Sequence, residues 1–121
     1  MPSSRPRQRF LDIIKNIDAV QRYVAGLDFA GFSQEEMRVD AVERCLSRIS
    51  EAATKLGSMA EDLAPRQPWR DIRGLGNWLR HDYPEINHEI IWKTAVNDLP
   101  ALRTDCEAAI AEIDRLGATG A

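Results

Sequence analysis

The chain has 121 residues, 44% hydrophobic and 29% charged, with a formal net charge of −3. That length suits one domain, taken as 1–121, with a core of moderate size. The acidic balance argues against a general duplex-DNA binder, and no apolar run approaches the ~18 residues of a membrane span. The basic start from Met1 to Arg9 leads into no uninterrupted apolar stretch, so the expected compartment is the cytoplasm.

Helical periodicity runs through most of the chain. Phe10, Ile13, Ile14, Ile17, Val20, Val24 and Leu27 recur at i, i+3, i+4 and i+7, which predicts a long amphipathic helix over 8–27. Gly26 and the Phe29–Gly31 stretch break it. Ser33 followed by Glu36 has the spacing of a capping box and opens a second helix over 34–58. Its stripe is Val42, Leu46, Ile49, Ala53 and Leu56, and Gly57 with Pro65 and Pro68 ends it.

Pro68 suits the first turn of a short third helix over 68–82, which Pro84 stops. A fourth helix is expected over 87–97 through Ile90, Ile91 and Val96. Pro100 starts a fifth, carried to about 116 by Leu102, Cys106, Ala109, Ile110 and Ile113, with Gly117–Ala121 as a frayed tail. No segment alternates with period two. The expected fold is all-α, an up-and-down bundle of about five helices. Cys45 and Cys106 lie on apolar stripes and read as buried free thiols, and no Cys/His cluster has zinc spacing.

The chemistry is concentrated in Arg73-Gly-Leu-Gly-Asn-Trp-Leu-Arg-His-Asp-Tyr83. Only two His and two Tyr occur in the whole chain, and one of each stands here two residues apart. On a helix, with Arg70 at 0°, Arg73 falls near 300°, Asn77 near 340°, Arg80 near 280° and His81 near 20°, an arc of roughly 100°. Trp69, Ile72, Leu75 and Leu79 fall opposite. From Arg66 to His81 there are four Arg and one Asp, and like charges this close repel unless an anion compensates.

Asn77 and His81 are spaced to reach one small group, and Tyr83-Pro84 holds a phenol nearby. Such a set suits phosphodiester chemistry on RNA without a metal or other cofactor. His81 serves as general acid or base, an Arg fork holds the phosphate, and Asn77 positions the 2′-hydroxyl or a phosphate oxygen. The bland alternative is a solvated helix face with a chance His. Trp69, Trp78 and Trp92 read as packing or interface residues, with Trp78, near 80° on the wheel, the one suited to a dimer seam. His88 reads as a surface or helix-start residue.

The chain resembles the HepT-like toxins of the HEPN superfamily, ribonucleases associated with minimal nucleotidyltransferases. The resemblance runs through Arg9-Phe-Leu-Asp-Ile-Ile, Asp40-Ala-Val-Glu-Arg-Cys-Leu-Ser-Arg-Ile-Ser-Glu-Ala-Ala, Pro68-Trp-Arg-Asp-Ile-Arg-Gly-Leu, Asn77, Leu79, His81-Asp-Tyr83, Ile91-Trp-Lys and Asn97-Asp-Leu-Pro-Ala-Leu102. The family signature is an Arg, a polar residue, three residues, His, a spacer and Tyr. Asn77, His81 and Tyr83 match it, but the Arg position is Gly76.

The resemblance implies a homodimer with two motifs in one cleft. It also implies an RNA substrate and a nucleotidyltransferase antitoxin that adenylylates the motif Tyr, here Tyr83. Glu51 matches an acidic position of the family's second helix. Either Arg73 or Arg80 supplies the missing guanidinium, or the chain keeps a binding role without catalysis.

Overall fold

A computed structural model describes residues 5–80 and 84–120, with the side chains of 84–87 and 118–120 excepted. Among the described residues every regular element is helical: α1 (Pro6–Val24), α2 (Phe29–Ser33), α3 (Glu36–Leu56), α4 (Ser58–Leu63), α5 (Trp69–Leu79), α6 (Pro84–Lys93), a π-helical segment Thr94–Asp98, and α7 (Leu99–Gly120).

The long stripes pack as their periodicity requires. Phe10, Ile13, Ile17 and Val20 of α1 meet Val42, Leu46, Ile49, Ala53 and Leu56 of α3, and Leu102, Cys106 and Ala109 of α7 close the core. Trp69, at the head of α5, is buried edge-on against Phe10 at 6.3 Å and donates its indole N–H to the Ala64 carbonyl at 2.7 Å. Cys45 and Cys106 are buried free thiols, and burial pushes the Cys106 thiol up to about 12.

Several expected boundaries are corrected. α1 ends at Val24 rather than 27, and Gly26 takes a left-handed φ of 77° in the turn after it. The Phe29–Gly31 stretch begins a helix instead of only breaking one, because Asp28 caps it by accepting from the Gly31 N–H at 2.8 Å. The Ser33–Glu36 capping box does not form. The Ser33 hydroxyl donates back to Ala30, and Glu35 occupies the N-cap of α3 without a side-chain bond. Gly57, at φ 56°, ends α3 but leads directly into α4.

Pro84 heads α6, which starts three residues before the expected 87. Pro100 starts nothing, because α6, the π segment and α7 follow one another without a break, and α7 continues to Gly120 through the expected frayed tail. The core takes Ile91, Ala95 and Leu99 from this run, while Val96 is 38% exposed. Two successive four-residue steps overrun the turns of an α-helix by about 80°. The wider π turn absorbs that excess and keeps all three residues facing inward. A proline at 100 also cannot donate to the Val96 carbonyl and crowds it, and a π turn just before it accommodates both defects.

Candidate active site

α5 presents the residues singled out above. Its N-terminal end is fixed from the opposite side of the molecule. Asp105 of α7, a buried carboxylate, accepts from Arg66 at 2.6 Å and Gln67 at 2.8 Å, and these bonds hold it below the usual carboxylate range. The loop entering α5 is thereby tied to α7, and the buried Trp69 locks the first turn.

The middle of α5 lies against α3 at one small contact. The buried Ser50 hydroxyl donates to the Arg73 carbonyl at 2.9 Å and accepts from the Gly76 N–H at 3.1 Å. A Cβ at position 76 would stand 3.1 Å from the Ser50 oxygen and 3.4 Å from its Cβ. Position 76, where the family motif has its Arg, is therefore a close approach of two helices. Ser50 carries a signal the stripe reading passed over, since it is a polar residue directly beside Ile49.

Arg73 is half-buried and engaged in a clamp. Its guanidinium pairs with both Glu61 oxygens, at 2.8 and 2.5 Å, and donates to the carbonyls of Gly57 at 2.8 Å and Ala53 at 3.3 Å. It thus caps the Ala53 carbonyl in the last turn of α3 and adds a second donor to the Gly57 carbonyl, which also accepts from the Ala60 N–H, and the Arg73 hydrogen bonds lower the Glu61 carboxyl. Sequence reading set Arg73 on the polar arc with Arg70, Asn77 and Arg80, whereas the structure half-buries it against the end of α3. The same reading missed Glu61, twelve residues away and in another helix.

Asn77 and Arg80 form the exposed edge at the other end. Arg80 is the C-cap, with its backbone N–H on the Asn77 and Trp78 carbonyls, and a cation there complements the helix dipole. Arg70 is exposed one end further back. Ile72 and Leu75, expected on the packed side, are only partly buried, whereas Trp69 and Leu79 are fully so. His81 and Tyr83 lie outside the described residues.

Glu51 is exposed on α3 and paired with Lys55 at 3.1 Å, in a polar recess shared with Arg9, Lys15 and Arg48. It lies roughly 100° around α3 from Ser50, so it faces away from α5. Trp92 packs on Phe32 with ring centroids 5.2 Å apart, and His88 is half-buried on α6. Among the described residues, no three His, Cys, Asp or Glu side chains converge on a point able to hold a metal ion.

The family model described as ribonuclease HepT-like matches residues 13–109. A candidate RNase of Methanocaldococcus jannaschii is 30% identical over 94% of this chain and 94% of its own length. A second from the same organism is 30% identical over 87% of this chain and 97% of its own. A protein of Thermococcus cleftensis named as a probable ribonuclease HepT is 28% identical over 76% of this chain and 84% of its own. No solved structure matches the chain.

Proposed function

The chain belongs to the ribonuclease HepT-like family, and on that premise we propose that it is a metal-independent endoribonuclease toxin. The observation that carries this reading is the exposed Asn77–Arg80 edge at the end of α5, which runs directly into His81 and Tyr83. In the proposed reaction His81 takes the proton of a 2′-hydroxyl held by Asn77. The freed oxygen bonds to the adjacent phosphorus, and Arg80 stabilises the charge that develops there. The 5′-oxygen leaves with a proton, supplied by the second His81 of a homodimer. The products are a 2′,3′-cyclic phosphate and a 5′-hydroxyl.

Arg80 takes the guanidinium role in this scheme because Arg73 is already committed to Glu61, Gly57 and Ala53. The proposed antitoxin is a minimal nucleotidyltransferase that adenylylates Tyr83. The added phosphate places anionic bulk beside His81 and competes for the arginines.

Expression of the chain alone should arrest growth and cleave RNA, leaving cyclic-phosphate ends. His81→Ala should lower cleavage by roughly 10²–10⁴-fold. Equal, negligible cleavage by both proteins would sink the enzyme reading. Incubation with the nucleotidyltransferase and ATP should raise the intact mass by one or more adenylyl units. A rise that persists in Tyr83→Phe would place the modification elsewhere.

One observation favours a second reading. Gly76 sits against Ser50 where the motif Arg would stand, which suits a protein that binds its nucleotidyltransferase partner without cutting RNA. That reading expects complex formation unaffected by His81→Ala, together with no cleavage by either protein.

A further inference from the structure

Arg70, Gly74 and Trp78 stand four residues apart on α5 and so form one row along its surface. The middle member is a glycine, and a Cβ built there meets no atom of the described residues within 4 Å. The row is therefore a gap between a guanidinium and an indole. Leu75 and Ile90 of α6, both partly buried, line it as well, with the exposed Asp71 at its edge. The recess measures about 390 Å³, within the ~300–1,000 Å³ span of small-molecule sites. Trp78 is half-buried, with part of its surface packed on the core, so its position is fixed while a face remains available. Gly74 lies about 60° around the helix from Asn77, which puts the notch beside the edge assigned to catalysis.

We infer that this notch holds one nucleobase of a bound RNA strand, stacked on the Trp78 indole, with Arg70 on a neighbouring phosphate. The inference rests on the ribonuclease reading for the source of the strand. A flat apolar slot suits a base because every base has a π face. The cation at the mouth suits the anionic backbone that must follow the base in. Asp71 on the rim gives an exocyclic amino group an acceptor. Nothing else about the row needs a glycine at 74, since a helix interior is weakened by one.

The test uses the full chain and a 2′-O-methyl oligoadenylate, which cannot undergo 2′-hydroxyl attack, beside an abasic strand of equal length. The wild type should bind the oligoadenylate roughly tenfold more tightly than the abasic strand, the scale of one stacked base. Binding should quench tryptophan emission, and Trp78→Phe should remove the quench. Gly74→Leu places apolar bulk in the notch from a Cβ that meets no described residue and should erase the preference for bases while melting no lower than the wild type.

Equal affinity of the wild type for both strands, or a preference that survives Gly74→Leu, would overturn the inference. So would a change in oligomeric state with Gly74→Leu, because the notch would then be a seam between copies of the chain. Absence of RNA cleavage with the base preference intact would remove the ribonuclease reading and leave the notch standing. Cleavage with no base preference would do the reverse.

Discussion

Arg73 gives all three guanidinium nitrogens to protein acceptors, whereas Arg80 makes no side-chain bond to any described residue. The two substitutions should therefore separate. Arg73→Ala leaves the Ala53 carbonyl without its side-chain donor and breaks the link to Glu61, and is expected to lower stability by about 1–2 kcal/mol, read as a shift in the denaturant midpoint. Arg80→Ala should leave that midpoint within about 0.5 kcal/mol and lower RNA cleavage by tenfold or more. Cleavage that falls with Arg73→Ala under fully folded conditions, but not with Arg80→Ala, would reverse the assignment. An Arg placed at 76 would bring its Cβ against the Ser50 oxygen, so Gly76→Arg is not a simple restoration of the family motif.

At the scale of the element, α5 carries two glycines with opposite surroundings. A Cβ at Gly74 meets none of the described residues within 4 Å, and Gly74→Ala should stabilise the protein by roughly 0.5–1 kcal/mol through helix propensity. Gly76→Ala gains the same propensity but meets Ser50, which is held by bonds to both the Arg73 carbonyl and the Gly76 N–H. It should show no gain, and the penalty should shrink in a Ser50→Ala background, where only an ordinary contact with the Ser50 Cβ remains. A double-mutant cycle measures this coupling. Additive effects would mean that the contact carries no energy.

The elements were unequally legible. α1 and α3 could be read because large apolar residues repeat at helical spacing over five turns. α2 and α4 are single turns too short to show a period, and they exist because Asp28 and Gly57 fix their ends. The polar face of α5 was legible as an arc. Its division into a structural Arg73 and an exposed Asn77–Arg80 edge was not, because Glu61 and Ser50 reach it from other helices. Val96 falls about 140° around a regular helix from Ile91, so its apolar character alone suggested a core position that the buried Ile91, Ala95 and Leu99 take instead.

Across the whole molecule, ion pairs among the described residues join the first helix to the last. Arg7 meets Asp114 at 2.8 Å, and Arg103 meets Asp18 at 2.7 Å while also pairing with Glu107. The arginine hydrogen bonds hold both aspartates below their ordinary range. Folded-state values depressed in this way add stability that is present above the unfolded range near about 3.9 and lost as pH falls through the folded values. The melting temperature should accordingly hold from pH 7 to 5 and fall on acidification below about 4. Because the Arg7–Asp114 pair is exposed and the Arg103–Asp18 pair is only half-buried, 1 M salt should weaken the dependence. A melting temperature that rises between pH 5 and 3 would contradict the account.

The π turn at Thr94–Asp98 is also a place where the chain can change length. A π turn accommodates one residue more than the α-helical path while the helices on either side keep their faces inward. Loss of a residue there, the outward-facing Val96 for example, would restore a plain helix and still leave Ile91 and Leu102 in the core. Insertions and deletions elsewhere in the same rod would rotate α6 about its axis relative to α7 by roughly 100° per residue. The turn thus acts as a phase buffer for a one-residue loss at Thr94–Asp98, and only there.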